Sequence, residues 1–299
     1  MASSLRSGLA AARLSRTRGV TFSRQPQRDM LVRSSLARAA GVALIEAMGA
    51  FEDGSAGAGE DLDGRTIAVL AFAARGRRLL RSAYRLIDVG ERDAAAPLYR
   101  VMSEYLIVGR WLIRADDATQ RTWGLEDLRE RLVTVNDVLE HARLDDLSRN
   151  HLEQARRETE DAIRRYGGDD APLSKRAARR TGQKRVTIEA MAGDVDLEFV
   201  YAYGYRLLSQ TDVHASAAAA DAMFDATEGG LVIRPAPRSS FEGHDPYLMG
   251  AHLLYDLAQP LADSIPELRW QPSFSMIGDV LRAIGRLDRD TPSDALPAS

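Results

Sequence analysis

Apolar residues recur along most of this chain at the three-and-four spacing of an amphipathic helix, and hardly anywhere at the alternating spacing of a strand. From about Arg28 to Phe51, Leu31, Leu36, Ala40, Ala43, Leu44 and Ala47 share one side, and the segment runs out in the small residues of 53–59. A second helix is predicted from about Asp63 to Val89. Leu79, Leu80, Ala83, Tyr84 and Ile87 form its inner face, and Arg77, Arg81, Arg85 and Asp88 its outer, solvated one. Gly90 stands where a left-handed C-terminal cap belongs. The third helix, about Asp93 to Ile113, opens with Asp93 as cap and Pro97 in the first turn, where a missing N–H costs little. Its second half, Tyr105 to Ile113, is apolar nearly all round, which assigns it to the middle of a bundle.

Residues 119–166 follow a thinner pattern. Leu125, Leu128, Leu132, Val135 and Leu139 make one narrow stripe; Leu144, Leu147, Ala155, Thr159, Ala162 and Tyr166 make another. Acids and arginines fill most of the remaining positions. This predicts a long projecting helical hairpin with a single seam, stopped by Gly167-Gly168 and packed either back on the bundle or across a homodimer. The polar connector 169–185 carries six basic residues and no acid between Lys175 and Arg185. Helices are expected from about Asp194 to Ser209 and from about His214 to Ala226. Gly229 to Pro235 is the one plausible strand, confined by Pro235 and Pro237 to an edge or an extended loop. Asp245-Pro246 signals the start of a helix to about Ala262, and a last one spans about Phe274 to Leu287. The fold class is therefore all-α: one bundle of seven to nine helices over 28–288, with a basic tail at 1–27 and a loose tail at 289–299.

Composition narrows the chemistry more than it names it. The chain of 299 residues has no cysteine, which excludes disulfide frameworks, thiolate metal sites and a cysteine nucleophile. Forty basic and 43 acidic side chains leave a net charge of −3, unlike a protein that coats nucleic acid broadly. Lys175 and Lys184 are its only lysines, an Arg/Ala bias that fits a GC-rich bacterial genome. No uncharged run is long enough to span a bilayer, so no membrane association is expected. The arginine-rich, acid-free N-terminus imitates a mitochondrial presequence, yet without a secretory apolar core it reads as a disordered tail of a cytoplasmic protein. Phosphate-loop, dinucleotide, nucleophile-elbow and zinc-helix motifs are all missing, and no cofactor or metal is expected.

The informative polar residues lie on the most apolar helices. Arg100 and Glu104, four apart, share a face and can pair. Tyr201, Tyr203, Tyr205, Arg206 and Ser209 lie on a later helix, and Asp212-Val213-His214-Ala215-Ser216 follows it. Burying such groups unpartnered costs several kcal/mol, so a shared network is expected. It serves either as a buttress or as the floor of an anion pocket, with Arg100, Glu104 and Ser209 binding and Arg206 and His214 as candidate catalytic groups. His252 with Asp256 one turn later reads as a helix-surface pair or an oriented base. Trp111, Trp123 and Trp270 read as core or interface residues.

The pattern Leu98-Tyr99-Arg100…Glu104 after a Gly-ended helix, with Tyr205-Arg206-Leu207-Leu208-Ser209…His214-Ala215-Ser216, resembles an uncharacterised bacterial helical family, domain of unknown function 5677. That family is similar in turn to HEPN helical domains, whose ribonucleases cleave RNA without a metal using an Arg and a His a few residues apart. The resemblance implies Arg206 and His214 for those roles, here with seven residues between them, one more than the usual interval of four to six. Two functions stay open: a scaffold or binding module for RNA or a small anionic ligand, and a HEPN-like ribonuclease of a defence or toxin kind.

Overall fold

The computed structural model describes residues 24–52, 62–166, 187–209, 224–227, 230–233, 241, 244–265 and 271–289. Over these the chain is all-α apart from one small hairpin. The α-helices are α1 (Arg24–Glu52), α2 (Gly64–Asp88), α3 (Ala96–Arg114), α4 (Asp117–His141), α5 (Asp146–Arg165), α6 (Ile188–Asp194), α7 (Pro246–Ser264) and α8 (Gln271–Arg289). A π-helix spans Val200–Leu207, and strands β1 (Phe224–Thr227) and β2 (Gly230–Ile233) pair antiparallel with Phe224 opposite Ile233. The connector 169–185, Trp270, His214 and most of both tails lie outside the described residues.

Helices α3 and α7 form the centre. Met102 and Leu106 of α3 and Leu254, Leu257 and Leu261 of α7 are buried with Leu44 of α1 and Leu80 of α2 in one cluster. Each such side chain contributes about 1.5–3 kcal/mol by leaving water. The all-round apolar half of α3 has a second buried side. Ile107, Val108, Trp111 and Leu112 pack there with Met191, Ala192 and Val195 at α6. Polar ties brace the far end of the bundle. Arg38 of α1 forms a two-pronged ion pair with Asp88 of α2, at 2.9 and 2.6 Å. Tyr247 of α7 donates its hydroxyl to the same carboxylate at 2.6 Å.

Several helix ends follow their sequence signals. Gly90 takes φ +96°, and the amides of Gly90 and Glu91 return to the carbonyls of Ile87 and Leu86, closing α2. Asp245 accepts from the amides of Tyr247 and Leu248 ahead of Pro246. Asp93, in contrast, opens a short 3-10 turn (Asp93–Ala95) instead of capping α3, because Pro97 lets the turn tighten before the helix begins.

Other expectations are corrected. α1 begins at Arg24, inside the segment read as tail, and its buried stripe is Ala37, Ala40, Leu44 and Met48; Leu31 and Leu36 are exposed. Glycines set the close approach to α2, Gly41 against the Tyr84 ring and Gly49 against the Arg77 guanidinium. Arg77 is not on a free face either: its Nε donates to the Ile45 carbonyl of α1 at 2.7 Å. Residues 224–226, expected to end a helix, belong to β1, since Leu231-Val232-Ile233 needs a strand partner and only two residues separate them. The hairpin α4–α5 is seated at its root, where Trp123 packs beside Trp111 and Gln120 donates to the Leu112 carbonyl. Its seam is thinner than the two stripes suggested. Leu132 and Ile163 are its fully buried side chains, while Leu147 and Tyr166 are exposed. Among the described residues no helix is long and apolar enough to cross a membrane.

Candidate functional site

The first half of α3 meets the π-helix, and glycine sets how closely. At Gly204 a Cβ would lie 2.3 Å from the Ser103 hydroxyl and 3.1 Å from its Cβ, so only glycine fits there without a shift. Ser103 is fully buried and donates to the Tyr99 carbonyl at 2.9 Å, leaving no unpaired hydroxyl at the contact. Eight consecutive residues in π geometry are rare, and such departures from the α-helix gather at functional sites.

Arg100 emerges beside this contact. Its Nη1 pairs with Glu104 Oε2 at 3.2 Å, the i,i+4 pair expected from the sequence. Its Nε donates to Ser209 Oγ at 3.0 Å, and the Ser209 hydroxyl donates onward to the Tyr205 carbonyl. The guanidinium carbon lies 4.5 Å from the centre of the Tyr205 ring, a cation–π contact. Arg100 is thus held by a carboxylate, a hydroxyl and a ring. The Arg100 and Glu104 side chains are 22% and 36% exposed, so the network is a rim feature and not a sealed core.

Two expected members are not part of it. Arg206 is exposed and joins neither Arg100 nor Glu104, because the ring of its neighbour Tyr205 occupies the side facing α3. His214 lies outside the described residues, so the Arg206–His214 pairing has no geometry here.

The aromatic order of the π-helix is the feature that sequence reasoning missed. Tyr201 and Tyr205 stack at 5.6 Å on the Arg100 side. Phe199 and Tyr203 stack at 5.9 Å and within 5° of parallel, and Tyr203 continues to His244 at 4.6 Å. The four-residue spacing of both pairs was the available signal. Phe199 is 73% exposed, a large ring left in water at the edge of this stack. Partial burial and then the Glu189 carboxylate push the Tyr201 phenol above its ordinary value, so it remains a hydrogen-bond donor at neutral pH. Among the described residues no three His, Asp or Glu side chains converge as a metal site would require.

Residues 66–231 match the model of a family of unknown function, DUF5677, so the chain belongs to that family. The match takes in α2 through β2, including Arg100, Glu104 and the whole π-helix, and leaves out α1, α7 and α8. Comparison with curated proteins and with solved structures finds no match.

Proposed function

We propose that this protein is a binding module and that its ligand is single-stranded RNA, taken on the outer side of the π-helix. One observation carries the reading: the exposed Phe199 ring is stacked on Tyr203 while Arg206 on the same helix is exposed and unpaired among the described residues. An ordered aromatic face takes a base by stacking, worth about 1–3 kcal/mol per base, and the exposed arginine of the same helix, next to Tyr201, takes a phosphate of the chain. The basic run Lys175–Arg185 adds charge for a phosphate chain. Arg100 has a different job in this reading. Its guanidinium already answers to Glu104, Ser209 and Tyr205, so it fastens the π-helix to α3 rather than offering a free fork to an anion.

Fluorescence anisotropy with a labelled oligouridylate in EDTA tests this, with the RNA run on a denaturing gel afterwards. Wild type binds with strong salt dependence, Phe199→Ala and Arg206→Ala each weaken binding about tenfold, and the RNA stays intact. Absence of binding at low salt, or equal binding by wild type and both variants, removes the RNA reading. Cleavage that disappears in His214→Ala replaces it with the metal-independent ribonuclease, in which that imidazole carries a proton.

A further inference from the structure

Where α3 gives way to α4, the chain turns back on itself and leaves an open cleft of about 250 Å³. Trp111 of α3 forms one wall. Ala118, Thr119, Thr122, Trp123 and Glu126 of α4 form the other, three and four residues apart and so on one side of that helix. Trp111 is buried, and its Nε1 donates to Asp194 Oδ2 at 3.2 Å, which fixes the plane of the ring. Trp123 is half-buried against the same apolar cluster. The two indoles border one cleft without stacking on each other.

The charges at this corner are answered, with one exception. Asp116 caps α4 by accepting from the Thr119 amide at 2.7 Å, and Asp117 follows it, so the helix N-terminus brings no net positive charge. Arg65 is held by Asp63 and Asp117. The Thr122 hydroxyl donates to the Ala118 carbonyl at 2.9 Å. The exception is Glu126, the one acid of the cleft wall. It is half-buried, and its carboxylate makes no hydrogen bond or ion pair among the described residues.

Two tryptophan rings and an unanswered carboxylate suit a cation, because the face of an indole attracts positive charge more strongly than any other side-chain ring. The chemistry of the wall selects which cation. A primary ammonium brings three N–H donors, and the wall has few acceptors beyond Glu126 to meet them. A trimethylammonium group has no N–H to satisfy, and its methyl groups gain by leaving water for the apolar rings. The cleft also lies below the size of drug-binding pockets, about 300–1,000 Å³, so its ligand is a head group with a short tail.

We propose that this cleft binds a small trimethylammonium compound of the choline class, with its head against Trp111 and Trp123 and its charge on Glu126. None of these residues belongs to the RNA face, so the two readings fail independently.

Titration of the full chain with choline tests it, followed by tryptophan emission and separately by calorimetry. Tetramethylammonium probes the head group alone. The uncharged carbon analogue of choline, with a tert-butyl group in place of the trimethylammonium, probes shape without charge. Wild type binds choline and tetramethylammonium saturably in the millimolar range, and the carbon analogue about tenfold more weakly. Glu126→Gln melts with wild type, weakens choline about tenfold and leaves the carbon analogue unchanged. Trp123→Leu keeps an apolar wall without the π face and loses choline binding. Should that variant unfold, the Glu126→Gln comparison decides alone. The proposal is overturned if choline gives no saturable signal by either readout, or if the carbon analogue binds as tightly as choline. It is equally overturned if Glu126→Gln binds choline as wild type does.

Discussion

Arg100 and Arg110 belong to one helix, ten residues apart, and the structure uses them in opposite ways. Both give up part of their hydration. Arg100 recovers it through Glu104, Ser209 and the Tyr205 ring, and joins α3 to the π-helix. Arg110 makes no hydrogen bond or ion pair among the described residues, and burial lowers its guanidinium against the pull of Asp256. The same side chain is a fastening where its neighbours complete it and a partly desolvated charge where they stop short. Partner geometry, rather than burial, separates the two roles.

The comparison can be broken first at Arg100. Arg100→Ala removes a charge-assisted pair, a hydrogen bond and a cation–π contact together, and should cost about 2–3 kcal/mol in urea unfolding. A loss under about 0.5 kcal/mol, the scale of a neutral surface change, would mean that the cluster fastens nothing. Gly204→Val attacks the same joint from the other side. Forcing a branched side chain against Ser103 should cost about 2 kcal/mol and move the near-ultraviolet signal of the stacked tyrosines.

At Arg110 the sign reverses. Asp256→Asn should gain about 1 kcal/mol at neutral pH, because burial disfavours the ionised carboxylate. Because the Asp256 carboxyl is pushed above its unfolded value, its stabilising contribution is present in acid and is lost as pH rises from the ordinary aspartate range through the raised value. The advantage of the variant should therefore vanish in acid. His252 is pushed down, so its contribution is present above the ordinary histidine pKa of about 6.5 and is lost as pH falls through the lowered value. His252→Gln should flatten stability over that lower window. The smallest effect is expected at Arg206. Its replacement by alanine should leave unfolding within about 0.5 kcal/mol while weakening RNA binding.

Much of this was legible in the sequence wherever one local rule acted alone. The glycine at 90, the Asp245-Pro246 start and the apolar half of α3 each announced their elements through backbone chemistry that no tertiary contact overrules. Arg100 and Glu104 announced their pairing by spacing. Legibility failed where packing chose between local options. Ala37, Ala40, Leu44 and Met48 took the buried stripe of α1 from Leu31 and Leu36, and a two-residue link drew Phe224 into a strand. The tyrosine stacks and the exposure of Arg206 depend on π geometry, which shifts every side chain around the helix relative to an α reading. That Arg100 gains a carboxylate, a hydroxyl and a ring while Arg110 gains no bonded partner among the described residues is set by what packs against each, and periodicity carries no such information.

The thin hairpin has a consequence in time rather than in structure. With Leu132 and Ile163 as the fully buried side chains of α4 and α5, little apolar area is exposed when the two helices part. That segment should behave as a separate cooperative unit whose opening precedes global unfolding. Its amides should exchange with deuterium well before those of α3, and a protease should nick the link at 142–145 while the rest of the chain remains protected.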